Sequence, residues 1–378
     1  MEKLLLIPGP SPVHPRILSA LAVPTVAHTS PEMAADMTAA LEGLKTIVSS
    51  AAGEPFIIAG AGTLSMEVAI LNVAGPKGRV LILSQGYFGD RMEQICRSFG
   101  IAADVLRAPW GSAIPPAALA DRLRETRYDI VCVTHVDTST GACAPVESYG
   151  RVLKDSGILY VVDGVCATGG IDERMDEWGI DVVLTAAQKA FGAPPGLAVC
   201  VFSERALAKR KSLPSVPAYY SDILRWLPIM KDPKKYFSTH GVNEIRAFAE
   251  AVRMLLEEGM EARIDRHRRT ARAFRAALAA LGFTLFTEAP YLADTISVPL
   301  YPAGVDDAAF RTTLGRNGVV VAGGLAETAG KLFRLGHMGN LSREQILFAV
   351  GAIEKTLTEL SYPFAPGSAV AAARAELG

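Results

Sequence analysis

Lys189 stands in a stretch that is otherwise apolar or small: Leu184-Thr185-Ala186-Ala187-Gln188-Lys189-Ala190-Phe191-Gly192-Ala193-Pro194-Pro195-Gly196. A strand pattern ending at Leu184 runs into it, and a second apolar run, Leu197 to Phe202, follows. Burying an unpaired ammonium is costly, so a lysine held between two buried strands loses its proton easily. The resulting neutral amine can form a Schiff base with an aldehyde. Upstream, Tyr160-Val161-Val162-Asp163-Gly164 ends another apolar strand on a carboxylate. A lysine and an aspartate at neighbouring strand ends meet the two demands of pyridoxal 5'-phosphate (PLP). The amine holds the aldehyde and the carboxylate pairs with the pyridinium nitrogen.

Other loops with chemistry fall at the ends of neighbouring strand patterns. Gly60-Ala61-Gly62-Thr63 opens a helix, and small residues there let backbone N–H groups approach a phosphate. It is not GxGxxG and no acidic residue follows at ribose-binding distance, which disfavours a dinucleotide. In Gly86-Tyr87-Phe88-Gly89-Asp90-Arg91 an aromatic side chain at a strand end can stack on a flat ring. Asp137-Thr138-Ser139-Thr140-Gly141 supplies hydroxyls that can bond a phosphate or a ring oxygen. His135, just before, reads as a satisfied core histidine. Further on, Leu332-Phe333-Arg334-Leu335-Gly336 places a guanidinium in an apolar strand, suited to clamp a substrate carboxylate.

These loops need a sheet to bring them together. Strands are expected at 56–59, 80–83, 103–106, 130–134, 159–162, 182–184 and 197–202, with helices near 32–52, 64–73, 89–99, 116–125, 146–155 and 204–211. Such alternation implies an α/β fold with a mostly parallel sheet, whose ligands bind beyond the carboxyl ends of the strands. Residues 1–30 read as an extended, proline-punctuated arm. Residues 31–258 form a large domain and 259–378 a smaller α+β domain. Residues 212–240 read as a long surface excursion. Residues 242–281 read as a helical region broken near Gly259, and 365–378 as an alanine-rich end that frays.

The 378 residues carry a net charge of -1, which gives no reason to expect nucleic acid or an acidic membrane surface. Mean hydropathy is high at +0.25, yet no apolar run approaches the roughly 18 residues of a membrane span. Buried parallel strands account for the value. Five scattered cysteines without CxxC spacing read as free thiols, and no signal-peptide pattern opens the chain, so a cytoplasmic protein is expected.

The order of these motifs, with Pro8-Gly9-Pro10-Ser11 at the start, resembles the class V aminotransferases of PLP fold-type I, the aspartate aminotransferase-like fold. The alanine–glyoxylate and serine–glyoxylate (serine–pyruvate) enzymes are the nearest in pattern. The resemblance implies Lys189 as the cofactor lysine and Asp163 as the pyridinium partner. It implies Ala61, Gly62, Thr63 and Gln188 around the phosphate, Phe88 on the ring, Thr138 beside the cofactor, and Arg334 on the substrate carboxylate. Tyr236 and Thr239 match a Tyr-x-x-Thr that reaches the neighbouring subunit's phosphate, which implies a homodimer with shared sites. The activity implied is transfer of an amino group from alanine or serine to glyoxylate or pyruvate by a ping-pong route. No second arginine stands at a comparable apolar strand position, so dicarboxylate donors are expected to react poorly. Ureidoglycine, aminoethylphosphonate and phosphoserine aminotransferases share the pattern. A cysteine desulfurase fits less well, because Gln188 stands where a histidine usually precedes the lysine and no cysteine lies near Arg334.

Overall fold

The computed structural model describes residues 3–75 and 78–378; the first two residues of the expected arm lie outside that range. The centre is a seven-stranded sheet built from β1 (Glu54–Gly60), β2 (Arg79–Ser84), β3 (Ala102–Arg107), β4 (Ile130–Thr134), β5 (Leu159–Asp163), β6 (Val182–Ala186) and β7 (Gly196–Phe202). Their order in space is β1-β7-β6-β5-β4-β2-β3. Strands β3, β2, β4, β5 and β6 pair in parallel, whereas β7 runs antiparallel to both β6 and β1. Every residue of β4, β5 and β6 is buried, which is why those strands read as unbroken apolar runs. The chain passes from β2 outward to β3 and then returns to β4 on the other side of β2. This reversal opens a crevice at the carboxyl ends of the strands.

Helix α1 (Pro15–Leu21) lies inside the arm expected to be extended, with Ile17 fully buried. Helix α2 (Pro31–Ile47) begins where Ser30 accepts the Met33 N–H, and it buries Met33, Met37, Leu41 and Leu44 as the periodicity requires. Helices α3 (Gly62–Ala74) and α4 (Tyr87–Ser98) follow β1 and β2 directly, so their N-termini face the crevice. The excursion over 212–240 is not wholly irregular. Ile223–Lys231 is a helix with Trp226 and Ile229 buried, obscured in the sequence by Pro228 within it.

Helices Val242–Glu258 and Met260–Ala280 meet at Gly259, whose φ of 80° lets the chain turn there. Beyond them β8 (Ile296–Ser297), β9 (Ala322–Gly323) and β10 (Phe333–Gly336) form a small antiparallel sheet, with β10 in the middle. A second apolar core gathers Phe274, Phe310 and Phe333 with Leu6 of the arm. The C-terminal segment is a helix, Ser368–Leu377, not a frayed end. Ala369 and Ala373 are fully buried there, because small side chains let it pack closely. No helix among the described residues is long and apolar enough to cross a membrane.

Candidate active site

A cavity of about 220 Å³ opens at the carboxyl ends of the strands, lined by Ala61, Gly62, Thr63, Phe88, Thr138, Asp163, Gln188 and Lys189 among others. Of the residues singled out in the sequence, these eight converge as expected. Lys189 lies in the loop from β6 to β7. Burial disfavours its ammonium and lowers its pKa, with Arg334 and Arg91 acting in the same direction against Cys166 and Asp163. Its Nζ donates to the carbonyl of Pro8 in the arm. The arm is pinned to this loop, since Ser11 donates its N–H to the Gln188 carbonyl (3.0 Å) and its hydroxyl to the Lys189 carbonyl (2.6 Å). Gly9 is required here. A Cβ on it would lie 2.6 Å from Cδ of Lys189, and its φ is +129°.

Asp163 is the last residue of β5. One carboxylate oxygen accepts the Val165 N–H at 2.9 Å, while the other meets only the Thr134 hydroxyl at 3.5 Å. Burial pushes its pKa up to about 7. A carboxylate so poorly satisfied is stabilised by a cation at its second oxygen, which a protonated pyridine nitrogen supplies. Its setting is fixed from behind. Its carbonyl accepts the His135 N–H at 2.9 Å, and His135 Nδ1 is 2.7 Å from Glu173 Oε1. The Thr168 hydroxyl donates to the other Glu173 oxygen at 2.6 Å. Burial works against the His135 imidazolium, but Cys143 and Glu173 outweigh it and push its pKa up to about 10. The core histidine expected from the sequence is thus hydrogen-bonded to a buried carboxylate.

At the other end, α3 starts at Gly62 with no side-chain cap. Its first N–H groups are available to an anion. The Gln188 Oε1 is buried without a hydrogen-bond partner, an arrangement that a phosphate resolves once the amide turns its nitrogen toward it. These features fit PLP: an anion cradle at one end, a solitary carboxylate for the ring nitrogen at the other, and a deprotonation-prone lysine.

Phe88 owes its place to Asp137, which the sequence reading left without a role. The buried Asp137 carboxylate accepts the N–H groups of Phe88 (2.9 Å) and Gly89 (3.3 Å), and also the Ser139 hydroxyl. Ser139 Oγ in turn accepts the Tyr87 N–H at 3.0 Å. Ser139 and Thr140 therefore spend their hydroxyls on the scaffold, Thr140 donating to the Gln85 carbonyl, and Thr138 is the member of the run that lines the cavity.

Arg334 on β10 donates Nε to the Gly323 carbonyl at 2.8 Å and Nη1 to the Thr138 carbonyl at 3.4 Å. It thus stands beside the cavity next to Thr138, without a carboxylate partner among the described residues. Burial lowers its pKa, opposed by Asp137. A second guanidinium was missed: Arg91, from the second turn of α4, lines the cavity. Its place in a Gly-Tyr-Phe-Gly-Asp-Arg run gave no sign of direction, because helix geometry decides which way it points. Tyr236 and Thr239 do not reach this cavity. Tyr236 is 65% exposed with its ring 5.2 Å from that of His28, and Thr239 lines a separate groove with His28 and His240. All five cysteines are free thiols, as expected.

The profile of the family described as aminotransferase class-V matches residues 18–342. The chain is 36% identical to alanine–glyoxylate aminotransferase 1 of Saccharomyces cerevisiae, over 89% of this chain and 91% of that one. It is 33% identical to the L-aspartate–glyoxylate aminotransferase of Paracoccus denitrificans, over 98% and 95%. The crystal structure of ureidoglycine–glyoxylate aminotransferase from Bacillus subtilis superposes with a TM-score of 0.94 at 27% identity, covering 100% of this chain and 98% of that one. The fold is that of the PLP-dependent enzymes of fold-type I. The chain belongs to the class V aminotransferases and is a PLP-dependent transaminase.

Proposed function

We propose that this transaminase takes the amino group of a small donor, alanine or serine, and passes it to glyoxylate or pyruvate in two half-reactions. The observation that carries this is Arg334, a fixed guanidinium with only backbone partners, held beside Thr138 at the cavity. It binds the α-carboxylate common to donor and acceptor in a bidentate fashion. Similarity to an alanine–glyoxylate enzyme supports the choice of substrates.

Bound PLP draws electrons from the substrate Cα into its ring. Lys189 would hold the cofactor's aldehyde. Its amine, whose protonation burial disfavours, would move the proton at the substrate Cα. Asp163 remains ionised against the ring nitrogen. Gly62, Thr63 and Gln188 hold the phosphate, and Phe88 covers the ring. Tyr236 and Thr239, away from their own cavity, serve the phosphate of a second copy in a homodimer, and the enzyme works in the cytoplasm.

A second reading, an acidic donor such as aspartate, is favoured by Arg91 in the cavity and by the aspartate–glyoxylate relative. Single half-reactions decide. Each amino acid is mixed with the PLP-loaded enzyme and the loss of its visible band is timed. Alanine and serine are expected to convert the cofactor faster than aspartate or glutamate by about 10-fold or more, the scale of an unpaired carboxylate forced into a dry site. Faster conversion by aspartate or glutamate overturns the donor assignment.

A further inference from the structure

We propose that Arg91 is the guanidinium that binds the cofactor phosphate, and that it makes the site select phosphorylated over unphosphorylated pyridoxal. The inference rests on the PLP-dependent reading of the same cavity. A phosphate monoester carries nearly two negative charges at neutral pH. The residues expected around it, Ala61, Gly62, Thr63 and Gln188, bring no cation, and a helix N-terminus offers about half a charge. Two cationic side chains line the cavity, Lys189 and Arg91. Lys189 is committed to the aldehyde and loses its charge there. Arg334 is engaged with the carbonyls of Gly323 on β9 and of Thr138 beyond β4, and it is not among the residues that line the cavity.

Arg91 stands at the phosphate end. Its Nη1 donates to Thr63 Oγ1 at 3.2 Å, beside the open N–H groups of α3. The guanidinium carbon lies 4.7 Å from the Phe88 ring centroid and 5.3 Å from that of Tyr87. That stacking orients the planar fork without using up its donors. The helix carrying it is fixed by Asp137, which holds the N–H groups of Phe88 and Gly89. Among the described residues no carboxylate is paired with Arg91, so an anion entering the cavity meets a preoriented cation with donors to spare.

The test measures affinity for PLP and for pyridoxal on the full chain, cleared of cofactor with phenylhydrazine and dialysed. Binding is read from the visible absorbance of the lysine-bound chromophore. Arg91→Gln is expected to weaken PLP binding by roughly 10- to 100-fold, the scale of a lost charge-assisted hydrogen bond. Pyridoxal affinity stays unchanged, and inorganic phosphate loses its ability to compete with PLP. Arg91→Lys, which keeps the charge without the fork, should fall between, and it carries the test if the Gln variant does not fold. Equal weakening of PLP and pyridoxal would show that Arg91 acts through Phe88, and would overturn the proposal. So would unchanged PLP affinity, or a selective loss of aspartate turnover with PLP affinity intact. Failure of the unmodified protein to form the chromophore at all would instead sink the PLP-dependent reading beneath it.

Discussion

Asp163 was legible as a strand-end carboxylate, but its electrostatic state was not, because that depends on burial and on neighbours from distant loops. An acid whose folded pKa lies above its unfolded value binds more protons folded than unfolded between the two. Stability contributed by protonated Asp163 is therefore present at low pH and is lost as pH rises from about 4, the unfolded value, to about 7. In the cofactor-free chain this loss should be seen in urea midpoints across that window, and Asp163→Asn should flatten it. PLP binding should raise the stability of the wild type more than that of the variant. An unchanged pH slope in Asp163→Asn would assign the dependence to other groups. Arg91 shows the opposite limit of sequence reading. Its type was visible, but the rotation of α4 that turns it into the cavity was not.

At the scale of elements, the alternation of strands and helices could be read because strands buried on both faces are continuous apolar runs bounded by turns. The reversed direction of β7 could not, since an apolar run has the same composition either way. The short Lys189 loop was a clue, being too brief for a parallel crossover. Loops from different strands are locked together here by the His135–Glu173 pair, which joins the end of β4 to the segment after β5. Its imidazolium, with a pKa near 10, contributes stability that is full below the unfolded value of about 6.5 and is lost as pH rises through about 10. Removing the carboxylate leaves a buried charge without its partner. Glu173→Gln should cost about 3 kcal/mol at neutral pH in chemical denaturation, with His135→Asn combined with it recovering part of the loss. A single variant within about 0.5 kcal/mol of wild type, the scatter of neutral surface changes, would mean the pair is not ionised.

For the whole molecule, the exposed Tyr236 and the Thr239 groove lie apart from their own chain's cavity, and their motif was expected to serve that of a neighbouring subunit. Such a relation between chains is beyond any reading of local pattern. If the sites are shared, two inactive variants should complement. Mixing Lys189→Ala with Tyr236→Phe/Thr239→Ala under mild dissociating conditions should restore about one quarter of wild-type activity. Half of the random pairs are heterodimers, and each has one intact site out of two, a consequence of twofold symmetry. Light scattering should give twice the chain mass. Activity from a monomer would remove the shared-site model.

The arm deserves to be seen as a linkage with two pivots. Leu6 accepts the Gly336 N–H at 2.8 Å and donates its own N–H to the Val320 carbonyl at 2.8 Å, so it is built into the layer that carries Arg334. Two residues later the Pro8 carbonyl accepts from Lys189 Nζ. Only Ile7 separates the two, and Pro8 fixes its own φ, so the link absorbs little slack. A displacement of β10 would therefore be delivered as traction at the carbonyl that meets Lys189 Nζ. A Cβ at Gly336 would strike the Ile7 carbonyl. Gly336→Ala should accordingly alter the pH dependence of lysine–PLP absorbance although it touches neither partner, while an unshifted titration with normal folding would show the two ends to be mechanically independent.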